Sequence, residues 1–128
     1  MPEPLNVPPQ PRIRLSLRLD LAHDLRIGPG QIMLLEQVDR VGSLRAAASV
    51  LGMSYPKALK LVKHLNSVVK HGAVELAQGG SGGGGASLTS AGRELIDSYR
   101  EIESLTYEVT TNKLAAISTL LQESQEYP

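Results

Sequence analysis

Two very short turns divide the stretch from residue 31 to residue 69 into three segments of helical character. Gly42 and Gly52 stop the first two segments. Ser43 and Ser54 then stand where the N-caps of the second and third helices are expected. The three segments are Gln31–Val41, Leu44–Leu51 and, approximately, Tyr55–Val69. Two helices joined by a turn of three or four residues that contains glycine form a helix-turn-helix, which the second and third segments fit.

Patterns typical of β-strands lie on both sides of these helices. From Arg12 to Leu21 apolar and polar residues alternate, which predicts a strand with one buried face. A turn near His23-Asp24 would bring Leu25–Ile27 back as a short partner strand. After the third helix, two further strands enclose the glycine-rich loop Gln78–Gly85, and together they predict a hairpin. The strands of this hairpin are Ala73–Ala77 and Ala86–Leu88.

A long apolar stripe follows the hairpin. Thr89 is expected to cap a helix that runs to about Val109, in which apolar residues recur at three- and four-residue steps. The residues of this stripe are Leu95, Tyr99, Ile102, Leu105 and Val109. The polar run Thr110-Thr111-Asn112 predicts an interruption before a last helical piece, Lys113–Gln122. Core packing is one use of the stripe, but so small a core offers it no obvious partner, and we predict a homodimer contact.

Composition excludes several classes of protein. None of the 128 residues is cysteine, which excludes disulfides, thiolate zinc sites and thiol nucleophiles. There is no Phe or Trp and there are only four Tyr, so the chain has few aromatic residues on which single-stranded nucleic acids could stack. No apolar run approaches the roughly 18 residues of a membrane span. The proline-rich residues 1–11 predict a disordered tail rather than a signal peptide, and we expect a cytoplasmic protein.

Charge is distributed unevenly, although the net charge is zero. Residues 40–72 contain six basic residues and no acidic one, whereas residues 94–128 contain seven acidic residues and two basic ones. On the third helix, Lys57, Lys60 and Lys63 fall on the side that faces away from the expected core. Such a face can neutralise the phosphates of duplex DNA. A solvated basic surface is the alternative.

The order of these elements predicts a mainly α fold with a small β-sheet, the winged helix-turn-helix. The third helix would enter the major groove of double-stranded DNA. The glycine loop would be the wing, because residues without Cβ atoms let backbone N–H groups approach phosphate oxygens. Groove contacts are predicted for Tyr55, Lys57 and Lys60, and phosphate contacts for Ser43, Arg45 and Lys63. Ser54 and the wing residues Gly80, Ser81, Gly82 and Gly83 complete the predicted DNA-binding set.

The glycine loop also matches two enzyme motifs in their letters alone. Gly79–Gly83 fits G-x-S-x-G, but the hydrolase triad then needs a later histidine, and the last one is His71. Gly80–Gly85 fits G-x-G-x-x-G, yet no second parallel strand is expected after it. The spacing of His64, His71 and Glu75 matches no established metal site. We therefore predict a protein that is not an enzyme, with no catalytic residue and no metal site.

Several of these segments together resemble a known family. Gly42–Ala48, Leu51–Tyr55 and Leu88–Gly92 resemble the amino-terminal DNA-binding domain of LysR-type regulators. The closer resemblance is to the ModE type, the molybdate-responsive regulators, and it covers about residues 12–108. It is carried by Ser54-Tyr55 opening the third helix, Asn66 near its end, and the wing Gly79–Ala86 leading into Leu88-Thr89.

This resemblance implies a bacterial transcriptional regulator that dimerises through its long carboxy-terminal helix and binds a palindromic operator on the nucleoid. Residues 12–93 would form the DNA-binding domain and residues 94–128 the dimerisation helices. Family members sense molybdate with β-rich domains that follow this part, so we expect no cofactor and no molybdate on this chain. A separate effector-binding subunit is a further partner, and an alternative function is a winged-helix protein-interaction module that pairs with such a subunit. An anion sensor at the glycine loop would have only Arg93 as a supporting cation.

Overall fold

A computed structural model describes residues 13–77 and 84–122. These residues form two compact units, residues 17–99 and a second unit of residues 13–16 with 100–122. In chain order the elements are β1 (Leu19–Asp20), a 3-10 turn (Ala22–Asp24), β2 (Arg26–Ile27), α1 (Pro29–Val41), α2 (Leu44–Val50), α3 (Tyr55–Val68), β3 (Val74–Leu76), β4 (Ala86–Leu88) and α4 (Ser90–Ser118). The strands pair as two antiparallel hairpins. The predicted α+β winged helix is thus confirmed.

Short-range signals determine where the first helices begin and end. Pro29 opens α1, and the side chain of Gln31 accepts a hydrogen bond from the Gly28 N–H at 3.0 Å. Gly42 ends α1 in the left-handed region at φ 76°, which a residue with a Cβ rarely adopts. The hydroxyl of Ser43 then caps α2 by accepting from the Ala46 N–H at 2.9 Å. The connection between α1 and α2 therefore needs only two residues.

One apolar core holds the 17–99 unit together. Helices α1, α2 and α3 each turn one stripe inward, and the two strands after α3 close one side. The core residues that are fully or almost fully buried include Ile32, Leu34, Leu35, Val38, Ala47, Ala58, Val62, Leu65, Ala73 and Tyr99. Alanines in α2 and α3 occupy little volume at the core, which allows the helices to approach closely where no Phe or Trp fills the space.

The first strand is much shorter than the alternation from Arg12 to Leu21 predicts. Only Leu19–Asp20 pairs with Arg26–Ile27, in the register Leu19↔Ile27 and Asp20↔Arg26. The alternation of half-buried and exposed side chains nevertheless persists over the described residues 13–20. The reason for the short ladder is the partner, which has two residues before Gly28 begins the turn into α1.

Helix α4 continues through Thr110-Thr111-Asn112, so the predicted interruption there is wrong. The hydroxyl of Thr110 donates to the Thr106 carbonyl, and the hydroxyl of Thr111 donates to the Tyr107 carbonyl at 2.8 Å. Both bonds reach one helical turn back, which lets a threonine satisfy its hydroxyl without leaving the helix. In the second unit, the hydroxyl of Tyr107 accepts the Leu15 N–H at 2.7 Å, and Leu114 is buried.

Candidate nucleic-acid interface

Helix α3 separates an apolar face from a basic one. Ala58, Val62 and Leu65 have no exposed surface, whereas Lys57, Lys60 and Lys63 are exposed. The helix begins after Ser54, whose hydroxyl accepts the N–H of Lys57 at 3.2 Å. In the described part of the chain none of the three lysines forms an ion pair. Their charges are therefore available to an external anion.

Arg45 of α2 and Tyr55 of α3 meet beside this basic face. The Cζ atom of Arg45 lies 4.3 Å from the centroid of the Tyr55 ring, within the range of a cation–π contact. Arg45 is exposed, while Tyr55 is half-buried and packs against the core. The two residues line a cleft of about 410 Å³ that also includes Ser43, Ser49, Leu76 and Gly85. This cleft joins the start of α3 to the stem of the hairpin β3–β4.

Ser43 and Ser54, which are both predicted to contact DNA, also cap helices. The hydroxyl oxygens of Ser43 and Ser54 each accept a backbone N–H at a helix start. A hydroxyl that accepts one hydrogen bond keeps its own O–H hydrogen to donate, so capping leaves each serine a donor for phosphate. Their contacts to DNA remain predictions.

Asn66, near the end of α3, holds the first strand of the hairpin. Its Oδ1 accepts the N–H of Ala73 at 2.7 Å and the N–H of Val74 at 3.0 Å. Its Nδ2 donates to the Val74 carbonyl at 3.0 Å. The start of β3 is thereby fixed to α3. Sequence reasoning named Asn66 only as part of the family resemblance, because its partners become adjacent only when the turn after α3 forms.

The strands of the hairpin pair in the register Val74↔Leu88, Glu75↔Ser87 and Leu76↔Ala86. The predicted second strand is confirmed in full, and the first is one residue shorter at each end. The predicted wing contacts Gly80, Ser81, Gly82 and Gly83 lie outside the described residues. The structure therefore gives the stem of the wing and its attachment to α3.

Helix α4 is anchored to the hairpin at its first turn. Thr89 caps it as predicted, because its Oγ1 accepts the Gly92 N–H at 2.9 Å. The same hydroxyl donates to the Gly72 carbonyl at 2.8 Å, and the Thr89 N–H donates to the Ala73 carbonyl at 3.0 Å. These bonds connect the turn before β3 to the start of α4.

Arg93 is engaged within the protein. Its guanidinium makes two hydrogen bonds to the carboxylate of Asp39 on α1, at 2.9 and 3.2 Å. The hydrogen bonds and the negative charge of Asp39 raise the pKa of Arg93 above its ordinary value. Sequence reasoning missed this pair, since the two residues are 54 positions apart.

The predicted dimerisation stripe divides into two parts. Tyr99 is 1% exposed in the core of the 17–99 unit and donates its hydroxyl to the Leu17 carbonyl at 2.6 Å. Leu95 is half-buried and packs against the same core. In contrast, Ile102, Leu105 and Val109 are 43%, 49% and 77% exposed. Core packing accounts for the first two residues, and only the last three present an apolar surface.

The described residues contain neither a metal-binding cluster nor a membrane-spanning helix. They hold no group of three or more His, Cys, Asp or Glu side chains that could bind a metal ion. They likewise contain no helix with the length and apolar character that crossing a membrane requires.

Comparison with known proteins finds relatives that are described as ModE regulators, molybdenum transport proteins or molybdenum-pterin-binding proteins. MopB of Rhodobacter capsulatus, a molybdenum-pterin-binding protein, is 42% identical over 78 residues, which are 61% of this chain and 29% of that protein. The DNA-binding transcriptional dual regulator ModE of Escherichia coli K12 is 39% identical over 85 residues, 66% of this chain and 32% of that protein. The molybdenum transport protein ModE of Herbaspirillum seropedicae is 34% identical over 114 residues, 84% of this chain and 42% of that protein.

These relatives bear out the resemblance found from the motifs. No family model matches the chain. The chain spans about a third of the length of the curated relatives that it matches, and the match covers their amino-terminal part. The chain is a homologue of the amino-terminal part of ModE-type proteins.

Proposed function

We propose that this chain is a sequence-specific, double-stranded DNA-binding regulator of transcription that acts as a homodimer in the bacterial cytoplasm. The observation that carries the proposal is the outer face of α3. Lys57, Lys60 and Lys63 are exposed there and in no ion pair within the described residues. The stem of a hairpin is fixed beside the same helix by Asn66. Exposed lysines along one helix with an adjacent wing suit a helix in the major groove.

The names of the relatives support the same reading. The Escherichia coli relative is described as a DNA-binding transcriptional dual regulator, and others are described as molybdenum transport or molybdenum-pterin-binding proteins. We propose that the genes controlled by this chain are also related to molybdenum. These names belong to proteins much longer than the matched part. The role that we propose for this chain from them is DNA binding.

The residues divide into two kinds of contact. Lys57 and Lys60 would approach base edges in the major groove, while Lys63 and Arg45 would hold phosphates. Phosphate contacts supply affinity for any sequence, and base contacts supply discrimination. In a homodimer the two α3 helices would meet half-sites about 34 Å apart, one turn of DNA, or a multiple of this distance.

Replacing Lys63 by glutamine is expected to weaken binding to all DNA sequences to a similar extent. Each phosphate neutralised contributes about 0.9 to the slope of log affinity against log salt, so the slope should fall by about 0.9. The measurement is fluorescence anisotropy on an operator duplex and on a random duplex over a series of salt concentrations. Lys113→Gln makes the same change of charge in the second unit and should leave the slope as it is. An unaltered slope for Lys63→Gln would remove this residue from the phosphate contacts.

The exposed part of the α4 stripe is the proposed dimer contact. Ile102, Leu105 and Val109 recur at three- and four-residue steps and are 43–77% exposed, so they form one apolar stripe along the helix. A twofold contact between two such stripes buries both at once, and the operators of helix-turn-helix regulators share this symmetry.

A charge placed in the middle of the stripe should separate the dimer. Leu105→Glu loses the burial of the exposed half of two leucines, about 0.75 kcal/mol or more each, and places two like charges in the contact, so association should weaken by at least about tenfold. Sedimentation equilibrium at micromolar concentration measures this change. Ser104→Glu adds the same charge at a neighbouring exposed position and should associate like the unmodified chain. Equal dimer fractions for the two variants would contradict a contact through this stripe.

We further propose that this chain holds neither molybdate nor another cofactor. The cation that could have supported an anion at the glycine loop, Arg93, is bound on two of its nitrogens by Asp39. Molybdate at millimolar concentration should therefore leave the melting temperature unchanged, as should sulfate at the same ionic strength. A rise with molybdate alone would place an effector site on this chain.

A further inference from the structure

We propose that Tyr55 is a positioning residue that holds the Arg45 guanidinium in place for a DNA phosphate. This inference rests on the proposed function, and it changes the role predicted for Tyr55 from the sequence, which was a contact to a base. The observation is the cation–π contact itself, with 4.3 Å between the Arg45 Cζ atom and the centre of the Tyr55 ring.

The surroundings of the ring favour this role. Tyr55 is half-buried in the first turn of α3. Its ring is held in position because it packs against the core. One face of the ring is covered by the guanidinium. Little ring surface is then left for a base, whereas the ring gives the arginine a rigid platform.

The contact with the Tyr55 ring restricts the Arg45 side chain before DNA binds. An exposed arginine has about 2 kcal/mol of side-chain conformational entropy to lose when it binds. Contact with a fixed ring removes part of that freedom before DNA arrives. A guanidinium carries five N–H donors, more than the contact with one ring can occupy, so donors remain for a phosphate. Arg45 is in no ion pair within the described residues, and residues 40–72 contain no acidic side chain.

The location of the pair suits a phosphate rather than a base edge. Arg45 lies on α2, the helix before the recognition helix, and lines the cleft that reaches the base of the wing at Gly84 and Gly85. In helix-turn-helix proteins the first helix of the motif crosses the DNA backbone, while the second lies in the groove. The pair therefore joins the two helices at the point where the backbone would pass.

Four variants separate this role from its alternatives, namely Tyr55→Phe, Tyr55→Leu, Arg45→Gln and the double variant Arg45→Gln/Tyr55→Leu. The probe is a random-sequence duplex of about 30 base pairs in about 50 to 200 mM sodium chloride, because a phosphate contact does not depend on sequence. Tyr55→Phe keeps the ring and should bind within about twofold of the unmodified chain. Tyr55→Leu and Arg45→Gln should each weaken binding about three- to tenfold, and Arg45→Gln should lower the salt slope by about 0.9. The double variant should bind like Arg45→Gln alone.

Circular dichroism identifies any variant that fails to fold, and a second readout needs no DNA. In the free protein the ring current of Tyr55 should shift the Nε–H proton resonance of Arg45 upfield. The shift should persist in Tyr55→Phe and disappear in Tyr55→Leu.

The outcomes distinguish the two proposals. Additive losses in the double variant, or an unshifted Arg45 resonance, overturn the positioning role while DNA binding stands. Equal weakening by Tyr55→Phe and Tyr55→Leu assigns the contact to the hydroxyl and also overturns it. If the unmodified chain retains the shifted resonance and binds no DNA, the proposed function fails, and the phosphate role fails with it.

Discussion

Replacing Gly92 by alanine should destabilise the 17–99 unit by about 3 kcal/mol, the upper part of the range for overpacking. A Cβ atom at this position would lie 2.2 Å from the Ala73 carbonyl oxygen, and 3.0 and 3.2 Å from the carbon atoms beside it. All three atoms belong to the backbone, so no side chain can rotate away. Ala73 cannot easily retreat, because it is fully buried, its N–H is bound by Asn66 and its carbonyl accepts the Thr89 N–H.

Thermal unfolding followed by circular dichroism measures this effect. For a unit of this size, a loss of 3 kcal/mol should lower the melting temperature by more than about 10 °C. Gly30→Ala is the matched control, since Gly30 lies in the first turn of α1 and a Cβ there would meet nothing within 4 Å. The control should be neutral or slightly stabilising, because alanine favours the helix by up to about 1 kcal/mol over glycine. Equal melting temperatures for the two variants would contradict the close approach of α4 to the hairpin.

Replacing Asn66 by alanine is the second change with a large expected effect, again about 3 kcal/mol. The substitution leaves the N–H groups of Ala73 and Val74, and the carbonyl of Val74, without their side-chain partner. Both residues are buried, and an unsatisfied buried backbone group costs about 1–3 kcal/mol. The start of β3 should then loosen from α3, so the variant should also bind DNA more weakly at a temperature where it is still folded.

Urea denaturation and amide hydrogen exchange test this prediction together. Exchange at Ala73 and Val74 should accelerate in Asn66→Ala by more than global stability accounts for. The neighbouring Ser67 is exposed, and its hydroxyl donates only to the His64 carbonyl of its own helix. Ser67→Ala should therefore change stability by less than about 0.5 kcal/mol. An Asn66→Ala variant as stable as Ser67→Ala would show that the three hydrogen bonds do not hold the hairpin.

Features set by neighbours in sequence could be predicted well. The caps Ser43, Ser54 and Thr89 act on N–H groups three residues ahead, so local pattern is enough to find them. The inward stripe of α3 follows from helical periodicity in the same way. The error at Thr110 and Thr111 is also local. The polar run predicts a break, whereas threonine hydroxyls can bond to carbonyls of their own helix and leave it continuous.

Features that depend on tertiary approach could not be predicted. Tyr99 belongs to an apolar stripe whose pattern fits a core or a dimer equally well, and its burial and its hydrogen bond to Leu17, 82 positions away, place it in the core. The requirement for glycine at position 92 arises from the backbone of Ala73, which no local pattern contains. The contact of Arg45 with Tyr55 depends in turn on how α2 meets α3. In each case the sequence contains both residues but does not show that they are in contact.

Binding of the purified chain to fragmented DNA of its own genome, washed at increasing salt and then sequenced, tests the central claim most directly. We expect enrichment of a palindromic sequence that remains bound near physiological salt, with half-sites about one helical turn or a multiple apart. Lys63→Gln should weaken retention of all fragments without changing which sequence is enriched. Uniform retention that disappears as salt rises would leave only non-specific electrostatic attraction. That result would contradict the regulator and favour a winged-helix module that binds another protein.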